Sequence, residues 1–424
     1  MLGALAAWYV VMQVVTLAAL PLVLRLFDEL PDRGYALAKT SAVVVTGVLF
    51  WLGYSVGLLR NEVGAAWLAV ALVAGVSYAM GWGALRRYWQ EVRVTGNWRV
   101  ILAVEVLFLA GFALWAMVRA YDPAANHTEK PMDLMFMNSI WASATFPPQD
   151  AWFAGYPISY YYLGYWLLAT LGRLSGQPPA IAYNVGQAAW FGLLLIGCFG
   201  VVTNLLALGY DRRMPVAAEE AVGERLAWVI SAASMAGGVL AALAVGVIGN
   251  LMIVLEWLYA MGFHVMPLAN WIGVSGFPER ASQSGNWFIG LDWWWWRSSR
   301  VIGDLDLLGQ HVEVIDEFPM FSYVLGDNHP HVLAMPVVLV VIGLALHTLI
   351  GTGPASWGRA IRTAKAGVQA VDGEGHGWLR WANLPLGRLR MGLIALFAGA
   401  LLFLNTWDFP PYWALLVGCC AAGL

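Results

Sequence analysis

Residues 99–166, RVILAVEVLFLAGFALWAMVRAYDPAANHTEKPMDLMFMNSIWASATFPPQDAWFAGYPISYYYLGYW, decide the class of this molecule. Between Arg99 and Arg119 the only charge is Glu105, and as a helix the run is long enough to cross roughly 30 Å of hydrocarbon. His127 to Trp166 then gathers Glu129, Lys130, Asp133, Asn138 and Asp150 among Pro and Trp, and passes through Tyr160, Tyr161 and Tyr162 into a new apolar run. A chain that only had to reverse direction would use a short turn here. A polar insertion this long is expected to build a site.

The rest of the chain agrees with a membrane setting. Of 424 residues, 60% are hydrophobic and 12% charged, against about 25% charged in soluble domains. Apolar runs near 3–26, 36–59, 63–85, 99–119, 158–174, 181–208, 226–263, 332–350, 390–404 and 411–424 give about ten spans of helical length. The run 226–263 is long enough for two spans broken at Gly249-Asn250, or for one span with a re-entrant or interfacial piece. β-barrel alternation is absent, so the expected fold is all-α: a polytopic transmembrane helical bundle forming one integral membrane domain over 1–424. The net charge of −3, with no Lys/Arg cluster, excludes a nucleic-acid partner. Cys198, Cys419 and Cys420 lie inside apolar runs and imply neither disulfides nor a thiolate metal site. The N-terminus lacks a basic n-region, which favours a retained first span. The C-terminus stops inside an apolar run, as expected of the front part of a longer protein.

Short loops orient such a bundle by their Lys and Arg. Arg86, Arg87, Arg93 and Arg99 place the loop after the third span in the cytoplasm. So do Arg359, Arg362, Lys365, Arg380 and Arg388 for the Gly-rich connector 351–389. Two large loops, 120–157 and 264–331, then face outside a cytoplasmic membrane. Arg212, Arg213 and Arg225 look cytoplasmic, yet simple alternation puts their loop outside; a hidden half-span would remove the conflict.

Pro131 suits the start of a helix, which would carry Asp133 in its first turn with Glu129 just ahead. Two carboxylates then sit near the partial positive charge of a helix N-terminus, where they stay ionised. They fit a base or a metal ligand, or else a plain helix cap. In FPMFSYVLGDNHPH (318–331), Pro330 pushes His329 toward an extended conformation. Asp327, His329 and His331 would then share one face, as a cradle for a divalent ion or a phosphate. Trp293 to Trp296 fit a headgroup-level anchor or a sugar-stacking platform. Arg280, Arg297 and Arg300 could clamp a phosphate or touch lipid headgroups. The tyrosine triplet fits an interfacial belt; read on a helix, at least one of its hydroxyls faces protein and needs a partner. Glu105, Arg173, Glu256, His347 and Asp408 are ionisable groups within or at the ends of apolar runs. Asp408 belongs to the polar break NTWDFPP.

TEKPMDLMFMNS, FPPQDAWFAGYPISYYYLGYW, FPMFSYVLGDNHPH and NTWDFPPY together resemble the "YYY" family of bacterial and archaeal multispanning membrane proteins, a domain of unknown function. The wider layout resembles the GT-C membrane glycosyltransferases, which place an acidic pair in the first large outer loop before an aromatic, Pro-containing start of the next span. Here the pair is Glu-Lys-Pro-Met-Asp rather than adjacent acids, and more spans precede it than in many GT-C enzymes. The resemblance implies an inverting transferase that moves a sugar from a polyprenyl-phosphate donor to an acceptor at the outer face. Asp133 or Glu129 would act as base. Asp327, His329 and His331 would hold Mg or Mn, or the donor phosphate. Lys130, Tyr160, Tyr161, Tyr162, Arg297, Arg300 and Asp408 would line the substrate and lipid groove. The alternatives are a transporter or channel built around Glu105, Glu256 and the Gly249-Asn250 break, and a non-catalytic envelope scaffold.

Overall fold

The computed structural model describes residues 2–217, 224–272, 298–300, 303–352 and 387–423. These pack as two units, residues 1–240 with 328–424, and residues 241–327. The first unit opens with α1 (Leu2–Leu26), α2 (Ala38–Ser55), α3 (Val63–Thr95) and α4 (Trp98–Tyr121). It continues through the short α5 (Lys130–Ala142) and α6 (Leu163–Ser175) to α7 (Pro179–Tyr210). The hairpin β1 (Arg212–Ala217) and β2 (Glu224–Val229) follows, antiparallel with Arg212 opposite Val229, and then α8 (Ala232–Leu243). After the second unit come α12 (Pro330–Thr352), α13 (Gly387–Leu404) and α14 (Phe409–Gly423). The second unit holds α9 (Met252–Ala260), α10 (Met266–Trp271), the hairpin β3 (Gly303–Leu305) and β4 (His311–Glu313), and α11 (Pro319–Leu325).

Among the described residues, six helices are long and apolar enough to cross a membrane: those ending α1, α2, α3, α4, α7 and α12, with Ala232–Ile248 and Met391–Leu404 shorter apolar helices. The molecule is thus an all-α membrane protein, and the described residues give six helices of spanning length where about ten were expected. The run 158–174 accounts for part of the difference. Its helix, α6, has 13 residues, about 20 Å, too short to cross alone. Tyr165 near its start and Tyr183 near the start of α7 both reach Asp133, so α6 and α7 begin at the same end of the bundle. That is the hidden half-span. It carries the β1–β2 hairpin to the end where Asn97 donates to the Trp228 carbonyl (2.8 Å) and accepts from the Ile230 N–H (3.1 Å). Arg212 and Arg213 therefore join Arg33, Arg87 and Arg99 at one basic end, and the conflict over their loop disappears.

The run 226–263 breaks where its Gly-Asn pair predicts. Helix α8 runs into a π-turn at Ala244–Ile248, and Gly249 adopts φ +71°. A side chain there would meet the Phe318 ring. The following α9 has nine residues, about 14 Å, so the second half is no span.

Tight crossings lock the first unit. Pro21 interrupts the ladder of α1, and the Leu22 N–H is donated to Ser77 Oγ on α3 (3.0 Å). Gly81 lets the two backbones touch there, because a Cβ would collide with the Pro21 carbonyl. An ion pair between helices joins the buried Lys39 to the partly exposed Glu105. Lys39 Nζ lies 2.7 Å from Glu105 Oε1 and 3.1 Å from Gln13 Oε1. Gln13 and Tyr35 both donate to the same carboxylate.

Candidate functional site

Helix α5 starts as its sequence predicts, with Pro131 in the first turn and Glu129 at the cap. Glu129 does not cap the helix through its side chain. Asp133 points into protein and is 0% exposed. Its carboxylate accepts from the Tyr165 hydroxyl (2.6 Å), the Tyr183 hydroxyl (3.3 Å) and the backbone N–H of Asn328 (2.9 Å). Asn328 is itself buried, and its side-chain amide donates to the Tyr183 carbonyl (3.2 Å). One carboxylate thus ties α5, α6, α7 and the lead into α12 together, across 195 residues of sequence.

Glu129 faces the other way. Its side chain is 52% exposed, and its Oε2 lies 2.7 Å from His329 Nε2. His331 completes the group, with its ring centroid 5.4 Å from that of His329. The extended alternation expected over Asp327, His329 and His331 does not run its full length, because α12 starts at Pro330 and places His331 in its first turn. Pro at a first helical position has no N–H to waste, so the helix begins one residue before His331. Asp408 sits in a 3-10 turn, accepts from Asn405 Nδ2 (3.0 Å), and feels the charge of His331. Burial pushes its carboxyl up, against the pull of Asn405 and His331. Asp327 belongs to the second unit, where it is buried.

The tyrosine triplet precedes its helix instead of riding on it, since α6 starts at Leu163. Tyr160 stacks on Phe136 of α5 (5.2 Å) and leans on Tyr161 (4.7 Å). Burial, then the charge of Glu129, push its phenol up to about 12, so it stays a hydrogen-bond donor at neutral pH. The Tyr162 hydroxyl accepts from Trp51 Nε1 (3.2 Å). Lys130 is buried, with its ammonium 3.5 Å from Asp122. The far end of α5 is clamped as well. Asn61 Nδ2 donates to the Ile140 carbonyl, and the Tyr54 hydroxyl donates to the Thr145 carbonyl.

Arg297, Arg280 and the four tryptophans lie outside the described residues. Arg300, in the second unit, donates to Ser299 Oγ (2.6 Å) and lies over the Phe321 ring. Sequence reasoning passed over Tyr183 and gave Asn328 no role of its own. The available signal was a Tyr-Asn pair, Tyr183-Asn184, one turn into an otherwise apolar span; a buried phenol needs a partner.

No curated protein and no solved structure matches the chain. A family model described as "Uncharacterized membrane protein (DUF2298)" matches residues 45–424, which takes in every residue of the site, and the chain belongs to that family.

Proposed function

We propose that this protein is a GT-C-like membrane glycosyltransferase that moves a sugar from a polyprenyl-phosphate donor to an acceptor at the extracytoplasmic face, with Glu129 as the base. The observation that carries this is the pairing of Glu129 with His329, 2.7 Å apart and 200 residues distant in sequence, beside an Asp133 closed off from solvent. A base must reach the proton it takes; Glu129 is open to an acceptor and Asp133 is not. Asp133 is instead the anchor that sets the α5 N-terminus against the α12 N-terminus.

In the transfer, the acceptor hydroxyl oxygen bonds the anomeric carbon as the bond from that carbon to the phosphate oxygen breaks. The electron pair leaves with the phosphate, the hydroxyl proton passes to the Glu129 carboxylate, and the sugar carbon inverts. His329 and His331 offer two imidazoles with ring centres 5.4 Å apart, donors that suit Mn better than Mg, which prefers oxygen. A divalent cation there would neutralise charge on the departing phosphate. Tyr160, Tyr161 and Tyr162 offer aromatic faces and hydroxyls to substrate, and Asp408 flanks His331. The outward orientation is supported by the arginines at the opposite end of the bundle. The transport alternative loses support at one of its groups, because the Glu105 carboxylate is engaged by Lys39, Gln13 and Tyr35.

The test is turnover of a panel of polyprenyl-phosphate sugars by purified protein in lipid. Glu129→Gln should abolish product while leaving donor binding measurable. A folded wild type inert toward the whole panel ends the proposal.

A further inference from the structure

The loop between α5 and the tyrosine triplet carries its large apolar side chains on the outside. Trp152, Phe153 and Tyr156 are 64%, 63% and 58% exposed, and the Phe153 and Tyr156 rings lean together with 4.7 Å between centres. No charge falls between Asp150 and Arg173. The shape of the loop is fixed from within. Every backbone N–H from Gln149 to Phe153 is donated inside the protein. Gln149 donates to Ser143 Oγ (3.0 Å), Asp150 to the Tyr156 carbonyl (2.9 Å) and Ala151 to Ser139 Oγ of α5 (3.2 Å). Trp152 and Phe153 both donate to one oxygen of the Asp150 carboxylate (2.8 and 2.9 Å). The Tyr156 and Ile158 N–H groups close the turn onto the Phe153 and Pro148 carbonyls.

A second apolar turn lies beside it. The α2–α3 link, residues 56–62, joins two helices of spanning length at the end away from Arg33, Arg87 and Arg99. It meets the loop where the Asn61 N–H is donated to the Ala144 carbonyl (3.0 Å) and where the Phe146 ring packs edge-on against Tyr54. Val56 and Leu58 are exposed, Leu58 to 81%. The N–H groups from Val56 to Leu59 are all donated to carbonyls in the last turn of α2. Water would supply partners for such groups, whereas backbone that enters lipid must bond within itself. Exposed Trp and Tyr, a tip without charge, closed backbone, and a base held at the ends of two spanning helices together describe a surface made for lipid. A glycan or a soluble protein would not require the closed backbone.

We propose that Trp152, Phe153 and Tyr156, with Val56 and Leu58, form a wedge that enters the headgroup–acyl boundary of the adjoining leaflet. Because Ser139 grips the Ala151 N–H, the wedge holds α5, the helix that carries Asp133, at a fixed depth. The test is a depth measurement by spin labelling of the full chain in vesicles of phosphatidylcholine and phosphatidylglycerol. With Cys198, Cys419 and Cys420 replaced by alanine, a nitroxide-labelled cysteine is placed at Ala154, at Leu58 or, as a membrane reference, at the exposed Val76 of α3. Power saturation compares collisions with oxygen, which concentrates in lipid, and with a water-soluble nickel chelate. Oxygen should dominate at all three positions, most strongly at Val76. Trp152→Ser combined with Phe153→Ser should turn the Ala154 label over to the nickel chelate. Both side chains are exposed, so this variant should elute like its parent. Nickel dominating at Ala154 in the parent overturns the proposal and leaves the aromatic side chains to a soluble glycan or protein. An Ala154 label that stays in lipid after the double change also overturns it, because those side chains would not be what holds the loop there.

Discussion

Replacing Asp133 separates an anchor from a reactive group. In Asp133→Asn the shape is kept, but the charge goes and an amide N–H₂ now faces donors. Tyr165, Tyr183 and the Asn328 N–H all donate to the wild-type carboxylate, and Tyr165, Tyr183 and Asn328 are each 0% exposed. Hydrogen bonds to a charged group are worth about 1.5–3 kcal/mol each, which for these donors sums to roughly 4–9 kcal/mol. Pairwise measurements inside membrane proteins average only about 0.6 kcal/mol per bond, or roughly 2 kcal/mol here. The asparagine still accepts from one or two of the donors, so the expected loss is about 2–4 kcal/mol. Glu129→Gln removes a side chain that is 52% exposed and should cost no more than about 0.5 kcal/mol. The assay is reversible unfolding in mixed micelles, run beside sugar transfer. Asp133→Asn should unfold early and lose activity in proportion to the folded fraction; Glu129→Gln should fold normally and be inactive. An Asp133→Asn protein as stable as wild type yet without turnover would refute the division of roles, and Asp133 would be the reacting group.

Lys39 is 2% exposed and Glu105 25%, so Lys39→Met alone should cost about 1–3 kcal/mol by leaving the partly buried Glu105 without its cation, and the double change with Glu105→Leu should recover part of it. Unfolding of the four members of that double-mutant cycle measures the coupling; an additive result would deny the pair. Mn²⁺ titrated into purified protein and followed by electron paramagnetic resonance should bind to wild type and be released by His329→Ala, whereas equal binding to both would remove the imidazole from the site. Asp408 has a folded carboxyl value raised by burial, so its favourable contribution is complete below the ordinary aspartate value of about 3.9 and is lost as pH rises through the raised one. Wild type should therefore gain stability relative to Asp408→Asn as the pH falls from neutral toward about 4, and parallel stability curves would contradict the buried placement.

Much of this protein was legible in order along the chain. Apolar runs marked the helices, because a bilayer demands apolar surface and internally satisfied backbone of anything that crosses it. Pro131 and the Gly249-Asn250 pair marked where helices begin and break, since those effects act on the residue itself and its neighbour. The same local logic picked out Glu129, Asp133, His329, His331 and Asp408. What linear reasoning could not supply was direction and depth. It treated 158–174 as a crossing, although α6 turns back into a shared end with α7, and so left the side of the Arg212–Arg213 loop open. It ranked Asp133 beside Glu129, although one is sealed beneath two tyrosines and a backbone amide while the other meets an imidazole in the open. Local sequence specifies which groups are polar and where the backbone bends. Only the packing of helices drawn from distant parts of the chain decides which of two carboxylates keeps its access to water.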